Sequence, residues 1–334
     1  MRVGVRIPPC APVTEVVAAA AEAERLGFDE VWFPDSQLLW RDVFTVAATA
    51  AAATSRVTLG IAVSTVATRH PSVVASAART VGEVARDRFV LGLGVGNSSV
   101  WPVGLPASTG AELRAGLGTV RALLAGEEVD FGGVRSRLRD PVPVPLHIAA
   151  SGPRNLRLAG EIADGVILLS GISPGTLGSA TARVREGADA AGRRDEPVTT
   201  VSAYCRVTDD VARDARELKP VCAAIAQHGG VPFLALAGVH VEVPPMSLPG
   251  VYPDVLHAED WDAAVRACDP YISDAAAVAF AHEFCLFGSG EEITRRLETV
   301  REAGADAVFL QHVGSYDLPF PLLENVAGKV LPLL

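Results

Sequence analysis

The sequence contains few cysteines and no closely spaced pair of them, which excludes two kinds of site. Its cysteines are far apart in the chain: Cys10, Cys205, Cys222, Cys268 and Cys285. A structural zinc site needs cysteine or histidine ligands at short spacings, and a disulfide framework usually needs an even number of cysteines. Since neither pattern is present, we expect no bound metal ion and no disulfide framework.

Positive charge is also scarce. The chain has 29 lysines and arginines against 39 aspartates and glutamates, and its formal net charge is -10. Proteins that bind nucleic acid or anionic membranes usually carry a basic surface, so neither partner is expected. No apolar run approaches the ~20 residues of a membrane span, and the first residues lack the apolar segment of a signal peptide. These absences predict a cytoplasmic protein.

The sequence does contain a regular alternation of short apolar runs with helical patterns. Apolar residues make up 49% of the 334 residues, which is enough for a large buried core. Because the runs alternate with helical periodicity, the sequence predicts a parallel sheet closed into a (β/α)8 TIM barrel, in a single domain over residues 1–334. An open doubly wound sheet is the alternative. The eight predicted strands are residues 2–7, 30–34, 57–63, 88–96, 145–151, 165–170, 198–208 and 306–313.

Two segments are too long to be simple connections between a strand and a helix. Residues 97–108 follow the fourth predicted strand, and residues 229–283 follow the seventh strand and a helix predicted over 210–226. We interpret the second segment as an inserted helical lid, because long ordered loops on a rigid scaffold often bind substrate. A helical decoration that packs against a neighbouring subunit is an equal alternative.

The chemistry of a TIM barrel lies at the carboxyl ends of its strands, so candidate site residues are sought there. After the fifth strand, Ser151, Gly152 and Pro153 lead directly into a helix that begins near Arg154. Free N–H groups at a helix N-terminus, with glycine for close approach, form an anion site to which Arg154 adds charge. An ordinary helix start with an exposed arginine is the alternative.

The ends of the second and fourth strands supply further candidates. Asp35 directly follows the second strand and is either a site carboxylate or a helix cap, and Trp40 either lines an apolar pocket or packs on the next helix. After the fourth strand, the glycines are spaced differently from a dinucleotide-binding fingerprint, and no helix follows at once. They indicate either the close approach of a flat ring or tight packing within the barrel. These glycines are Gly92, Gly94 and Gly96.

Several longer motifs resemble those of the bacterial luciferase-like superfamily. "LGIAVSTVATRHP", "VLGLGVGN" and "AASGPRNLRLAGEIADGVIL" occur here in the same order, and "GFDEVWFPD" and "GADAVFLQHV" are similar too. The resemblance covers nearly the whole chain. It is strongest to the branch that depends on coenzyme F420, the branch of methylenetetrahydromethanopterin reductase. It implies an oxidoreductase that transfers a hydride between F420 and a small organic substrate.

The resemblance also implies where the cofactor lies. In the family the third strand has a bulge with a non-prolyl cis peptide behind the deazaflavin ring, and the corresponding bond here is Ala62–Val63. Ser64 and Thr65 then follow along the ring edge, with Gly96 at the end of the glycine-rich strand. The cofactor phosphate is expected at the anion site of Ser151, Gly152, Pro153 and Arg154. Trp40 matches an aromatic residue of the substrate pocket.

Two positions depart from the family pattern. Some members have a histidine directly after the aspartate of the second strand and an acidic residue after the glycines of the fourth; this chain has Ser36 and Asn97. A neutral amide orients a ligand but cannot shuttle a proton near neutral pH. Asp35, Ser36 and Asn97 are therefore expected at the reacting centre as orienting groups. Three further side chains are candidates for substitute roles: Gln311 and His312 in the substrate pocket, and His282 in the lid.

Two other functions compete with the leading one. An FMN-dependent monooxygenase has the same fold, and a non-catalytic relative would retain the barrel without the pocket chemistry. The absence of acid and base groups at Ser36 and Asn97 keeps the non-catalytic alternative open. The expected partners are a small-molecule substrate and, in a homodimer, a second copy of the chain.

Overall fold

The computed structural model describes residues 1–235, 238–245, 247–314 and 316–334. Eight of its strands form the wall of a barrel, and each predicted strand corresponds to one of them. In chain order the barrel strands are β1 Arg2–Arg6, β2 Glu30–Phe33, β3 Thr58–Ser64, β4 Phe89–Leu93, β7 Leu146–Ala150, β8 Gly165–Leu168, β9 Val198–Val207 and β11 Ala307–Gln311.

The barrel is closed and parallel. Each strand pairs with its neighbours in the order β9, β11, β1, β2, β3, β4, β7 and β8, and the pairing of β8 with β9 closes the ring. All of these pairs are parallel. The predicted TIM barrel is therefore confirmed, and the open doubly wound sheet is excluded.

Helices cover the outside of the barrel and bury its apolar strands. Their small residues allow close packing: Val16, Ala19, Ala20 and Ala23 on the first helix are all buried. The helices around the barrel are α1 Val13–Leu26, α2 Val43–Ala53, α3 Pro71–Ala85, α4 Gly110–Leu124, α5 Pro153–Ile162, α6 Pro174–Ala190, α12 Gly290–Glu302 and α13 Phe320–Lys329.

Three short elements were not predicted. A hairpin of β5 Val129–Asp130 and β6 Arg135–Ser136 lies between α4 and β7, and β10 Leu286–Gly288 pairs with β9 at its far end. Strands of two or three residues are too short to show any hydrophobic periodicity, so the sequence contains no signal for them. The terminal helix α13 was also missed.

The segment between β9 and β10, called the insertion from here on, is helical; the predicted insertion over residues 229–283 is its second part. It comprises α7 Val211–Asp214, α8 Lys219–Gln227, α9 Val231–Ala235, α10 Trp261–Cys268 and α11 Asp274–Phe284. The single helix predicted over 210–226 is wrong: it is divided by a 3-10 turn at Ala215–Leu218, and Pro220, which has no N–H to donate, lies in the first turn of α8. Residues 236, 237 and 246 of the predicted lid lie outside the described residues.

The insertion has a hydrophobic cluster of its own. Leu218, Cys222, Phe280 and Phe284 are among its buried members, and it is distinct from the cluster between the barrel strands and their helices. Tyr204 of β9 and Phe287 of β10 pack in the insertion's cluster and link it to the barrel wall. Within the described residues, no helix has the length and apolar character needed to cross a membrane.

Candidate active site

A groove with a volume of about 700 Å³ crosses the carboxyl edge of the barrel. It runs from the loop after β2, past the bulge of β3 and the end of β4, to the start of α5. Nine of the residues that line it are predicted site residues: Asp35, Ser36, Trp40, Ala62, Val63, Ser64, Gly96, Asn97 and Ser151. The sequence-based candidates from four different strand ends therefore share one site.

Strand β3 bulges at the wall of this groove. Its register against β4 shifts between Ile61 and Ser64, and the Ala62–Val63 peptide bond is cis. The predicted cis bond is thus confirmed. Ser64 is buried and lines the groove, whereas Thr65 is buried behind it, where its Oγ1 accepts a hydrogen bond from the Ala67 N–H at 3.1 Å.

The glycines of β4 are explained by this bulge. A Cβ on Gly92 would lie 2.3 Å from the carbonyl oxygen of Ile61, and one on Gly94 would lie 2.8 Å from a methyl of Val63. Tight packing against β3, one of the two alternatives above, therefore accounts for both residues. Gly96 has a φ of +92°, which favours glycine, and it lines the groove itself.

Asp35 is buried and held by two partners. The Ser64 hydroxyl donates to its Oδ2 at 2.6 Å, and Arg69 forms an ion pair with the same oxygen. Burial raises the pKa of Asp35 above its ordinary value, although the neighbouring Arg69 opposes the shift. Asp35 is not the helix cap considered above, because Asp42 caps α2 through the Thr45 N–H. Its contacts with Ser64 tie it to the bulged strand.

Arg69 was not singled out by the sequence analysis. It forms ion pairs with both Asp35 and Asp42 and so links β3 to the loop after β2. The only available signal was its place in the "TRHP" motif, which contributed to the family resemblance without indicating a contact.

Ser36 and Asn97 lie on two loops that contact each other. The hydroxyls of Ser36 and Ser98 are 2.5 Å apart, and the Gln37 amide donates to the Ser99 carbonyl at 2.7 Å. Asn97 is exposed and lines both the groove and a second cavity beneath the insertion. This position suits an orienting amide at the junction of two binding spaces.

The start of α5 has unsatisfied backbone donors. Gly152 is the N-cap residue, and no side chain caps it, whereas Thr109, Ser173 and Ser289 cap α4, α6 and α12. An uncapped N-terminus leaves N–H groups free for an anion. Ser151 and Asn155 line the groove there; Gly152, Pro153 and Arg154 are exposed at its end but are not part of its lining.

Trp40 is almost completely buried beside the groove. Its ring lies 5.3 Å from the Arg6 guanidinium carbon and meets the His257 ring edge-on at 5.7 Å. Arg6 and His257 also line the groove, and neither was a predicted site residue. Nothing in the sequence indicates whether the side chain of an arginine in a strand faces a cavity.

Two smaller cavities adjoin the groove and share lining residues with it. The first, about 180 Å³, is lined by Gln311 and His312 as well as Ala62 and Val63. The second, about 260 Å³, lies beneath the insertion and is mainly apolar, with Leu256, Phe233, Phe280 and Phe284 in its wall. Two of the predicted substrate-pocket residues, Gln311 and His312, thus lie around the first cavity, next to the bulge, whereas the third, Trp40, lines the groove.

The two histidine candidates differ in position. Burial lowers the pKa of His312 to about 4, its Nε2 donates to the Asp317 carbonyl at 2.9 Å, and its Nδ1 has no partner among the described residues. Gln311 donates to the Ser202 hydroxyl at 3.0 Å. His282 is exposed on α11 and lines none of these cavities. It is not placed to act at the groove.

The described residues contain no cluster of histidine, cysteine and carboxylate side chains that could hold a metal ion. Fold and site define a class: a (β/α)8-barrel protein with a groove at the carboxyl edge, a bulged strand at its wall and an uncapped helix start at its end. The chain belongs to the luciferase-like monooxygenase family, whose model matches residues 1–307.

The relatives in sequence include a reductase and a sugar-phosphate dehydrogenase. The chain is 31% identical to a 5,10-methylenetetrahydromethanopterin reductase of Methanolobus tindarius, over 69% of this chain and 72% of the relative. It is 41% identical to an F420-dependent glucose-6-phosphate dehydrogenase of Beutenbergia cavernae, over 47% of this chain and 53% of that one. The solved structure of the F420-dependent tetrahydromethanopterin reductase of Methanopyrus kandleri shares the fold, with a TM-score of 0.78, 22% identity and 99% coverage of both chains.

Proposed function

We propose that this protein is an F420-dependent oxidoreductase that transfers a hydride between the cofactor and a small organic substrate. The observation that carries the proposal is the continuous groove between the uncapped start of α5 and the bulge of β3. The relatives named as F420-dependent glucose-6-phosphate dehydrogenases support the choice of cofactor.

The residues present fit this cofactor. The free N–H groups at the start of α5, with Ser151 and Arg154, would hold its phosphate; Ala62, Val63 and Ser64 would lie against the ring, with Gly96 beside it. When bound, the deazaflavin supplies the hydride carrier, and the protein orients the reactants and excludes water.

Asp35, Ser36 and Asn97 act in this proposal as orienting groups. Asp35 fixes the position of Ser64 through its hydrogen bond, with Arg69 holding the carboxylate in place. Ser36 connects the loop after β2 to the loop after β4, which carries Asn97. Asn97 orients the substrate between the groove and the apolar cavity. A proton, where the reaction needs one, comes from water.

FMN-dependent monooxygenase chemistry is the second candidate, because the matched family model is that of the luciferase-like monooxygenases. The test is turnover: purified protein is incubated with reduced or oxidised F420 and a panel of carbonyl compounds and alcohols, and the deazaflavin absorbance is followed. The proposal expects substrate-dependent change with F420. Substrate oxygenation with reduced FMN and oxygen, without F420 turnover, would favour the second candidate, and no ligand binding at all would favour a non-catalytic relative.

The remaining expectations from the sequence complete the proposal. We propose a single domain over residues 1–334, in which residues 229–283 form a lid over the substrate side of the groove. A homodimer in the cytoplasm is expected, with a small-molecule substrate and neither nucleic acid nor membrane as partner. The stacked rings of Trp101 and His228, 4.7 Å apart, connect the loop after β4 to the end of α8, directly before this segment.

A further inference from the structure

The side chain of Arg6 has no anionic partner among the described residues. It lines both the groove and the cavity of about 180 Å³ next to the bulge. Within the same part of the chain it has no ion pair and no side-chain hydrogen bond, and its guanidinium lies over the face of Trp40. A guanidinium carries five N–H donors in a fixed fork, so this arrangement leaves the donors available to a ligand.

The groups around Arg6 do not neutralise it. Burial raises the pKa of Tyr204 to about 12 and lowers that of His312 to about 4, so both neighbours are neutral near pH 7. Asp35 is the one carboxylate among the described residues that line the three connected cavities, and Arg69 already pairs with it. The chain as a whole has a net charge of -10, so the positive charge at this place is local.

The cavity beneath the insertion adjoins the two spaces that Arg6 lines, and it is mainly apolar. Leu169 and Leu256 line the groove and both smaller cavities, and the cavity beneath the insertion continues with Ile225, Phe233 and Phe284. No further lysine or arginine lines these spaces within the described part of the chain. One cation beside an apolar chamber matches a ligand with one negative charge and a hydrocarbon body, since a doubly charged phosphate would leave a charge unpaired.

We propose that Arg6 is a specificity-determining residue that binds the carboxylate of an apolar monocarboxylic acid, the substrate class of this site. The carboxylate takes the two parallel donors of the guanidinium, and the hydrocarbon body lies beneath the insertion. The identification of this acid as the substrate rests on the proposed function, but its binding to Arg6 is measurable without F420.

The experiment measures binding of 3-phenylpropionate and of its neutral amide by calorimetry, with and without F420. The proposal expects the wild type to bind the carboxylate at least about tenfold more tightly than the amide, as a charge-assisted contact requires. Arg6→Met should abolish this preference, and Arg6→Lys should keep part of it. Arg41→Met is the matched control: Arg41 is exposed, donates to the Cys10 carbonyl and lies outside the groove lining, so the preference should remain.

Melting temperature without ligand distinguishes loss of binding from loss of fold. Because an unpaired, partly buried cation is removed, Arg6→Met should melt at the wild-type temperature or above. If Arg6→Met melts lower, the decision passes to Arg6→Lys, and equal affinity of that variant for carboxylate and amide overturns the proposal. Equal affinities in the wild type, or weaker F420 binding in Arg6→Met with the carboxylate preference unchanged, also overturn it. Failure of F420 to bind refutes the proposed function alone.

Discussion

Asn97 is the neutral residue that this chain has where, by the family resemblance, some members have an acidic proton donor. It lies between the groove and the apolar cavity, so its amide reaches ligands on either side. We predict that Asn97→Ala lowers turnover by about tenfold, the worth of one good hydrogen bond, with little change in F420 affinity. Steady-state kinetics together with an F420 titration check this. If Asn97→Asp instead raises activity strongly and adds an acidic limb to the pH profile, the neutral-site mechanism is wrong.

His147 makes the fold sensitive to acid. It lies buried inside the barrel beside Trp32, its Nδ1 has no partner among the described residues, and burial lowers its pKa to about 4. Because the pKa of His147 is lower in the native protein than its unfolded-state value of 6.5, the unfolded chain takes up the proton first as the pH falls. Stability is therefore fully present above pH 6.5 and is lost as the pH falls towards 4. The free energy of unfolding should therefore fall by up to about 3 kcal/mol from this residue across that range.

Denaturant unfolding at a series of pH values measures the slope. His147→Phe should reduce the loss of stability between pH 6.5 and 4, although His312 leaves part of it, because its pKa is lowered in the same way. His240→Phe, at an exposed position, should leave the slope unchanged. An unchanged slope in His147→Phe would show that the pKa of His147 is not lowered in the native protein.

At the scale of elements, the contact between β3 and β4 sets the shape of the site. Gly92→Ala places a methyl 2.3 Å from the Ile61 carbonyl, and backbone cannot yield as a side chain can. We predict a loss of about 1–3 kcal/mol in unfolding free energy, with weaker cofactor binding because the bulge is displaced. Gly118→Ala is the control: nothing lies within 4 Å of its Cβ, and a helical alanine should stabilise by up to about 1 kcal/mol. Equal stabilities of both variants would contradict this packing.

Two arginines near the start of α5 allow a matched comparison of variants. Arg154 lies in the first turn, where an anion at the free N–H groups would be within reach; Arg157 lies one turn later and pairs with Glu186. Arg154→Ala should weaken F420 binding by about tenfold or more, whereas Arg157→Ala should not change it. Unchanged affinity in Arg154→Ala would mean that the backbone groups bind the phosphate without Arg154, which is exposed and outside the groove lining.

Periodicity predicted the elements that are long and apolar, and the resemblance predicted the details of β3. All eight barrel strands were found because parallel strands buried on both faces are continuous apolar runs. The Ala62–Val63 bond came from the family motif alone, since nothing in the residue types requires a cis peptide. Arg69 and Arg6 were missed because their roles depend on contacts made only in the folded chain: 34 residues separate Arg69 from Asp35, and as many separate Arg6 from Trp40.

At the scale of the whole molecule, the barrel and the insertion line different cavities. The barrel wall and the start of α5 line the groove, and the insertion, with its own hydrophobic cluster, covers an apolar cavity. Length and composition predicted the insertion but not this cluster, because the buried faces of short helices separated by loops have no common period. The apolar cavity beneath the insertion therefore could not be predicted from the sequence.

The most direct test is a calorimetric titration of the purified protein with F420 and, separately, with FMN. The groove leads from the bulged strand to the free helix start, so F420 should bind saturably, at one site per chain, and more tightly than FMN. Tighter binding of FMN, or no binding of F420 by protein that melts cooperatively, would contradict the central claim that this groove is an F420 site.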